Sequence, residues 1–119
     1  MLDKKTLVQL SPQTTIIAPE KLRDYALNFA NRDGEPKARF LEEMGYSQKI
    51  WQILEADLRT QHLSQEARPG KQSRYGEKYE IVAPLIGPNG EKRWVRSIWM
   101  IRNGESIARF ITLIPEKQP

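Results

Sequence analysis

Cysteine is absent from this 119-residue chain, and histidine occurs once, at His62. The first absence excludes disulfides and thiolate metal sites; the second excludes a metal centre built from several imidazoles. A chain without cysteine suits a reducing cytoplasm, and a cytoplasmic protein is expected. No apolar run reaches the ~18 residues of a membrane-spanning helix, so no membrane partner is expected. Met1-Leu2-Asp3-Lys4-Lys5 lacks the apolar core of a secretion signal. No glycine-rich phosphate loop, metal-ligand spacing or Ser-His-Asp set is seen, so no metal and no cofactor is expected.

What is present describes one soluble domain. Apolar residues make up 39% and charged residues 29% of the chain, enough for a single core. The formal net charge of +4 fits an ordinary basic surface and is only weak evidence for an anionic partner.

Residues 1–18 read as an irregular N-terminal arm, with a short strand at Thr14–Ala18, ahead of a single domain over 19–115. Pro19 can open a helix, where its missing N–H is an orphan anyway. Leu22, Tyr25, Ala26 and Phe29 then share one helical face. Asn31-Arg32-Asp33-Gly34 breaks that pattern. A second helix starts at Pro36, buries Phe40, Leu41 and Met44, and stops at Gly45. A third runs from Gln48 to His62 behind Ser47, with Ile50, Trp51, Leu54 and Leu58 as its stripe. Residues 64–73 are polar, contain Pro69-Gly70, and read as a loop.

Two turn signals follow, Gly87-Pro88-Asn89-Gly90 and Asn103-Gly104. Proline pre-sets φ at a turn, and asparagine and glycine accept positive φ. They join strands expected at Tyr79–Leu85, Arg93–Arg102 and Ile107–Ile114. The fold class predicted is α+β: two or three N-terminal helices packed on one face of a three- or four-stranded antiparallel meander.

Strand alternation sorts the faces. Val95, Ser97, Trp99 and Ile101 point one way, and Trp94, Arg96, Ile98 and Met100 the other. In the last strand Ala108, Phe110, Thr112 and Ile114 oppose Ile107, Arg109, Ile111 and Leu113. A two- or four-residue hairpin at Asn103 sets Thr112 beside Val95 or Ser97, and Arg96 beside Ile111 or Leu113. For the first turn two registers stand open. A type I turn with a glycine bulge puts Tyr79, Ile81 and Ala83 with Trp99 and Phe110; a plain two-residue turn flips that strand. Under the first register the apolar face takes the helices. Leu22, Phe29, Phe40, Leu54, Leu58, Val95, Trp99 and Phe110 are then expected in the core. The open face carries Lys78, Glu80, Arg96 and Arg109. Cations there suit phosphate binding, and they also suit ordinary cross-strand ion pairs.

Other candidates are local. Lys37 and Arg39 stand in the first turn of the second helix, as phosphate contacts or as a solvated face. Tyr75 can stack on a base or donate a proton, or simply pack over the loop. His62 ends the third helix, where an imidazole serves either as a base or as a dipole partner.

Several segments together carry a resemblance. Lys37-Ala38-Arg39-Phe40-Leu41 with Met44-Gly45-Tyr46 resembles "KARFF…LGY", and Tyr75 to Tyr79 resembles "YG-x-KY". Gly87 to Gly90, Val95 to Trp99 and Arg109 to Pro115 resemble "GP-x-G", "VRTVW" and "RLVTAYP". Ser97 replaces a threonine and Ile114 a tyrosine of that pattern. The ordered set, over about residues 16–115, resembles an uncharacterised bacterial domain family. It is found largely in cyanobacteria as small standalone proteins, at the C-termini of polymorphic toxins, and with phage heads. Helices followed by a meander also look like the barnase, EndoU, colicin and RelE group of RNA-cleaving toxins, a fold-level analogy.

The resemblance implies a toxin-like domain and a metal-independent ribonuclease acting on RNA, held by a small cognate antitoxin or immunity protein. It points to Lys37, Tyr75, Lys78, Arg96 and Thr112. Lys37 and Arg96 would stabilise charge on the scissile phosphate, Tyr75 would donate a proton and His62 would accept one. RNA phosphates would lie against Lys37, Arg39, Lys78, Arg96 and Thr112. Arg96 and Thr112 sort to opposite faces, so one site holds both only if the sheet is strongly twisted or bulged. The alternative function is a non-catalytic protein-interaction module that keeps the fold without the chemistry.

Overall fold

The computed structural model describes residues 7–30 and 35–118. The first six residues of the expected arm and the break at 31–34 lie outside them. Helix α1 is Lys21–Ala26 and α2 is Glu35–Glu42. Helix α3, residues 48–62, is a tight turn at Gln48–Ile50, a regular stretch at Trp51–Asp57 and wide turns at Leu58–His62. Four antiparallel strands follow in the order β1-β2-β3-β4: Arg68–Ser73, Gly76–Ile86, Lys92–Arg102 and Ala108–Pro115. The class is α+β.

Leu22, Ala26, Leu41, Met44, Leu54 and Leu58 bury against Ile81, Ala83, Leu85, Val95, Trp99, Phe110 and Leu113. Helical spacing thus meets one parity of β2 and β3, as expected, whereas in β4 the core takes both Phe110 and Leu113, which strict alternation sets on opposite faces. Phe29 is an exception. Helix α1 stops at Ala26, so Phe29 leaves the stripe and is 43% exposed, with the Arg39 guanidinium 5.9 Å from its ring centroid. Phe40 is half-buried at the edge of the core.

The segment 64–73 is not simply a loop, because β1 occupies its second half. The sequence is polar there because β1 is an edge strand. Pro69 needs no ladder N–H at an edge, and register is lost between Pro69 and Gln72. Residues 7–18 lie against the domain. Val8 and Ala67 exchange backbone hydrogen bonds, and Ile16 bridges Arg109 in parallel in place of a short strand. The Arg59 guanidinium donates to the carbonyls of Pro12 (3.0 Å) and Thr15 (2.8 Å).

The β2–β3 turn is the type I turn with a glycine bulge. Gly90 N–H donates to the Gly87 carbonyl at 2.9 Å, and Gly90 has φ +87°. Tyr79 therefore pairs with Trp99, Ile81 with Ser97 and Ala83 with Val95. Gly87 meets the end of α2 so closely that a Cβ there would strike the Met44 carbonyl.

The β3–β4 connection is longer than a tight hairpin: Glu105 N–H closes a turn on Arg102, and Ile101 pairs with Ala108. Trp99 faces Phe110, but the next pair is Ile98 with Thr112. Ile111 has no partner and forms a β-bulge. From there the expected pairing is corrected. Thr112 stands beside Ile98 rather than Val95 or Ser97, and Arg96 beside Ile114 rather than Ile111 or Leu113.

Candidate nucleic-acid interface

Cross-strand partners point to one face, so the open face can be read row by row. Lys78, Met100 and Arg109 form one row; Arg68, Glu80, Ile98 and Thr112 the next; Val82, Arg96 and Ile114 a third; Pro84 and Trp94 a fourth. The bulge is decisive here. Ile111 absorbs one residue, so Leu113 turns into the core while Thr112 joins Arg96 on the open face. Most side chains of the two middle strands on this face remain half-exposed, and the helices lie against the other side.

Arg96 is the electrostatic centre of this face. Its Nη1 donates to Glu80 Oε1 at 2.8 Å, along the diagonal to the neighbouring strand. Its Nε and Nη2 donate to the two carboxylate oxygens of Glu116, at 3.2 and 2.7 Å. Those bonds raise the guanidinium's pKa and hold the Glu116 carboxyl below the usual carboxylate range. Arg109 pairs with Glu105 at 3.3 Å. Lys78 forms no ion pair with any described residue. Trp94 is half-exposed two residues before Arg96 and on the same face.

The remaining expected site residues stand elsewhere. Lys37, on α2, puts its ammonium 3.3 Å from the Tyr25 hydroxyl and 5.2 Å from the centroid of that ring. Arg39 lies against Phe29. Tyr75 caps the β1–β2 hairpin, 66% exposed, with the Arg74 guanidinium 5.5 Å from its ring. Tyr75 precedes Val82, the partner of Arg96, by seven residues. At ~3.3 Å each, that is roughly 20 Å along the sheet.

His62 is fully buried beneath the sheet. Its Nε2 lies 3.2 Å from the Ala83 carbonyl, which can only accept, so Nε2 carries the proton. Nδ1 is then an acceptor and accepts a hydrogen bond from the Ser97 hydroxyl at 2.7 Å. Ser97 Oγ in turn accepts from Trp99 Nε1 at 2.8 Å. Burial pushes the His62 pKa down to about 4. Both ring nitrogens are occupied inside the core, where the residue joins helix α3 to the sheet.

A cavity of about 300 Å3 lies at the other end of the sheet, lined by Val8, Leu10, Thr15, Tyr79, Ile101 and Ile107, and it contains none of the expected site residues. Among the described residues no group of acidic and histidine side chains could hold a metal, and no helix is long and apolar enough to cross a membrane.

Residues 10–117 match one family throughout. The chain belongs to the DUF6883 family, a domain of unknown function. No curated protein and no solved structure matches the chain. The DUF6883 match spans all three helices and all four strands, so it includes the whole open face.

Glu116, which lies beyond the last strand, was missed from sequence, and the bulge entered there only as a condition for Arg96 and Thr112 to share a site. The bulge had a signal. Phe110-Ile111-Thr112-Leu113-Ile114 does not alternate strictly, and Phe110 and Leu113 reach the same face only if one residue between them is extra.

Proposed function

We propose that this domain binds single-stranded RNA across the open face of its sheet. The observation that carries the reading is the Ile111 bulge, which puts Thr112 on the face that holds Lys78, Trp94 and Arg96. A single strand needs what such a face offers: cations for the backbone, an aromatic ring for a base and a hydroxyl for hydrogen bonding. Lys78 contributes an ammonium with no ion-pair partner to displace among the described residues. Trp94 contributes the stacking surface, Thr112 the hydroxyl and Arg96 a planar fork for phosphate.

The resemblance extends this reading to a toxin-like domain, covered in the cell by a small cognate antitoxin or immunity protein whose acidic groups match Lys78 and Arg96. Cleavage would draw its proton-moving groups from Tyr75 and His62 and its second cation from Lys37, and these stand off the open face. RNA binding is therefore the activity proposed.

Titration of a fluorescent oligouridylate at rising salt tests the reading. Affinity is expected to fall as salt rises, and Lys78→Ala to reduce the slope of log K against log salt by about one. No binding at low salt removes the proposal. The second reading, a non-catalytic protein-interaction module, then takes its place; it is favoured by Arg96 being held between two carboxylates.

A further inference from the structure

We propose that Glu116 is a built-in stand-in for phosphate: the Nε–Nη2 edge of Arg96 is a phosphate subsite that this carboxylate fills until an incoming phosphate displaces it. The ligand named here, RNA, rests on the function proposed above; the subsite itself rests on the geometry.

Two parallel N–H···O bonds, 3.2 and 2.7 Å, join that edge to the two Glu116 oxygens. A phosphate uses the same edge with the same fork. Glu80 takes only the far nitrogen, Nη1, and leaves the edge clear.

The two carboxylates differ in how they are held. Glu80 sits inside β2, paired with Arg68 on one side and Ile98 on the other. Glu116 follows the last residue of β4, and its backbone N–H donates to the Trp94 carbonyl at 3.0 Å. Its side chain can leave without breaking any strand pairing. The displaced carboxylate regains water, and part-exposed ion pairs of this kind contribute little net stability. The Arg96 and Glu116 side chains are 33% and 23% exposed.

Local charge favours the exchange. The one guanidinium and two carboxylates of this cluster carry a net charge of −1, which disfavours phosphate even with Arg68 standing beside Glu80. With Glu116 swung away, Arg96 and Glu80 sum to zero, and the open edge presents two donors.

The test compares oligouridylate and inorganic pyrophosphate binding to the wild type, Glu116→Gln and Glu116→Asp. Thermal melts confirm that the variants are folded. Glu116→Gln is expected to bind RNA about tenfold tighter, the effect of freeing one charge-assisted hydrogen-bond pair. Glu116→Asp keeps the charge but is too short for the fork, so it too is expected to gain. The gain must vanish in an Arg96→Gln background.

If the wild type binds RNA and neither Glu116 variant binds it tighter, the stand-in is overturned and the RNA reading survives. If RNA is not bound but Glu116→Gln gains pyrophosphate affinity through Arg96, the subsite stands and the RNA reading falls. Failure with both probes sinks both.

Discussion

Arg96 and Thr112 share a face of the sheet because Ile111, one residue before the threonine, has no partner on β3. An extra residue inside a strand reverses the alternation beyond it. Here that reversal sends Leu113 into the core and keeps Thr112 out of it. Ile111 is thus expected to be dispensable to the register. Its deletion leaves Phe110 opposite Trp99 and Thr112 opposite Ile98, and straightens β4. Chemical denaturation should find a loss of ~1–2 kcal/mol for the deletion, the value of a half-buried side chain, against ~2–5 kcal/mol for Leu113→Ala. A deletion costing more than the alanine variant would contradict the bulge.

Trp99 fills the centre of the core, edge-on to Phe110 with ring centroids 5.2 Å apart. Trp99→Ala is expected to cost ~3–5 kcal/mol. Trp99→Phe retains most of the volume but deletes the donor to Ser97, and is expected to cost ~1–3 kcal/mol. Equal losses for the two variants would show that the indole N–H, and not the volume, is what matters.

The fully buried His62 makes stability depend on pH. Its pKa falls from the ordinary 6.5 to about 4 in the folded protein. Above pH 6.5 it is neutral in both states and its contribution is complete. As pH drops toward 4, the unfolded chain takes up a proton that the folded one refuses, and stability is lost. The full shift corresponds to roughly 3 kcal/mol. Melting temperatures recorded between pH 7 and pH 4 should show this decline, and His62→Gln should flatten the part of it that lies between pH 6.5 and 4.

Tyr46 is buried and donates to Asp57 Oδ2 at 2.6 Å, tying the end of α2 to α3. Burial and the adjacent carboxylate both raise its pKa. Tyr46→Phe leaves that carboxylate oxygen without its donor and is expected to cost ~1–3 kcal/mol in a urea melt. A neutral result would mean that water replaces the phenol fully.

Much of this architecture can be read along the chain. Leu54 and Leu58 fall at helical spacing, Val95 and Trp99 at strand parity, and Pro88-Asn89-Gly90 encodes a turn whose bulge sets the β2 register. These are short-range signals, carried by periodicity and by the φ preferences of a few residues. They suffice for the α+β class and for sorting Arg96 from Val95 and Trp99 along β3, whereas the face that Lys78 presents hung on two open registers of β2 and was decided by the folded turn.

Three things depended on tertiary contacts. Arg68–Ser73 became a strand because β2 offered a free edge, although the segment itself is polar and contains proline. His62 became a core link because Ser97 and the Ala83 carbonyl lay within reach of its ring; a lone histidine at a helix end carries no mark of that. Glu116 found Arg96 only through the β4 register, since residues twenty apart in sequence meet where the fold brings them together. Local propensity is written residue by residue. The pairing of charges and the partners of buried polar groups are settled by the free energy of the assembled sheet and helices, which no single segment contains.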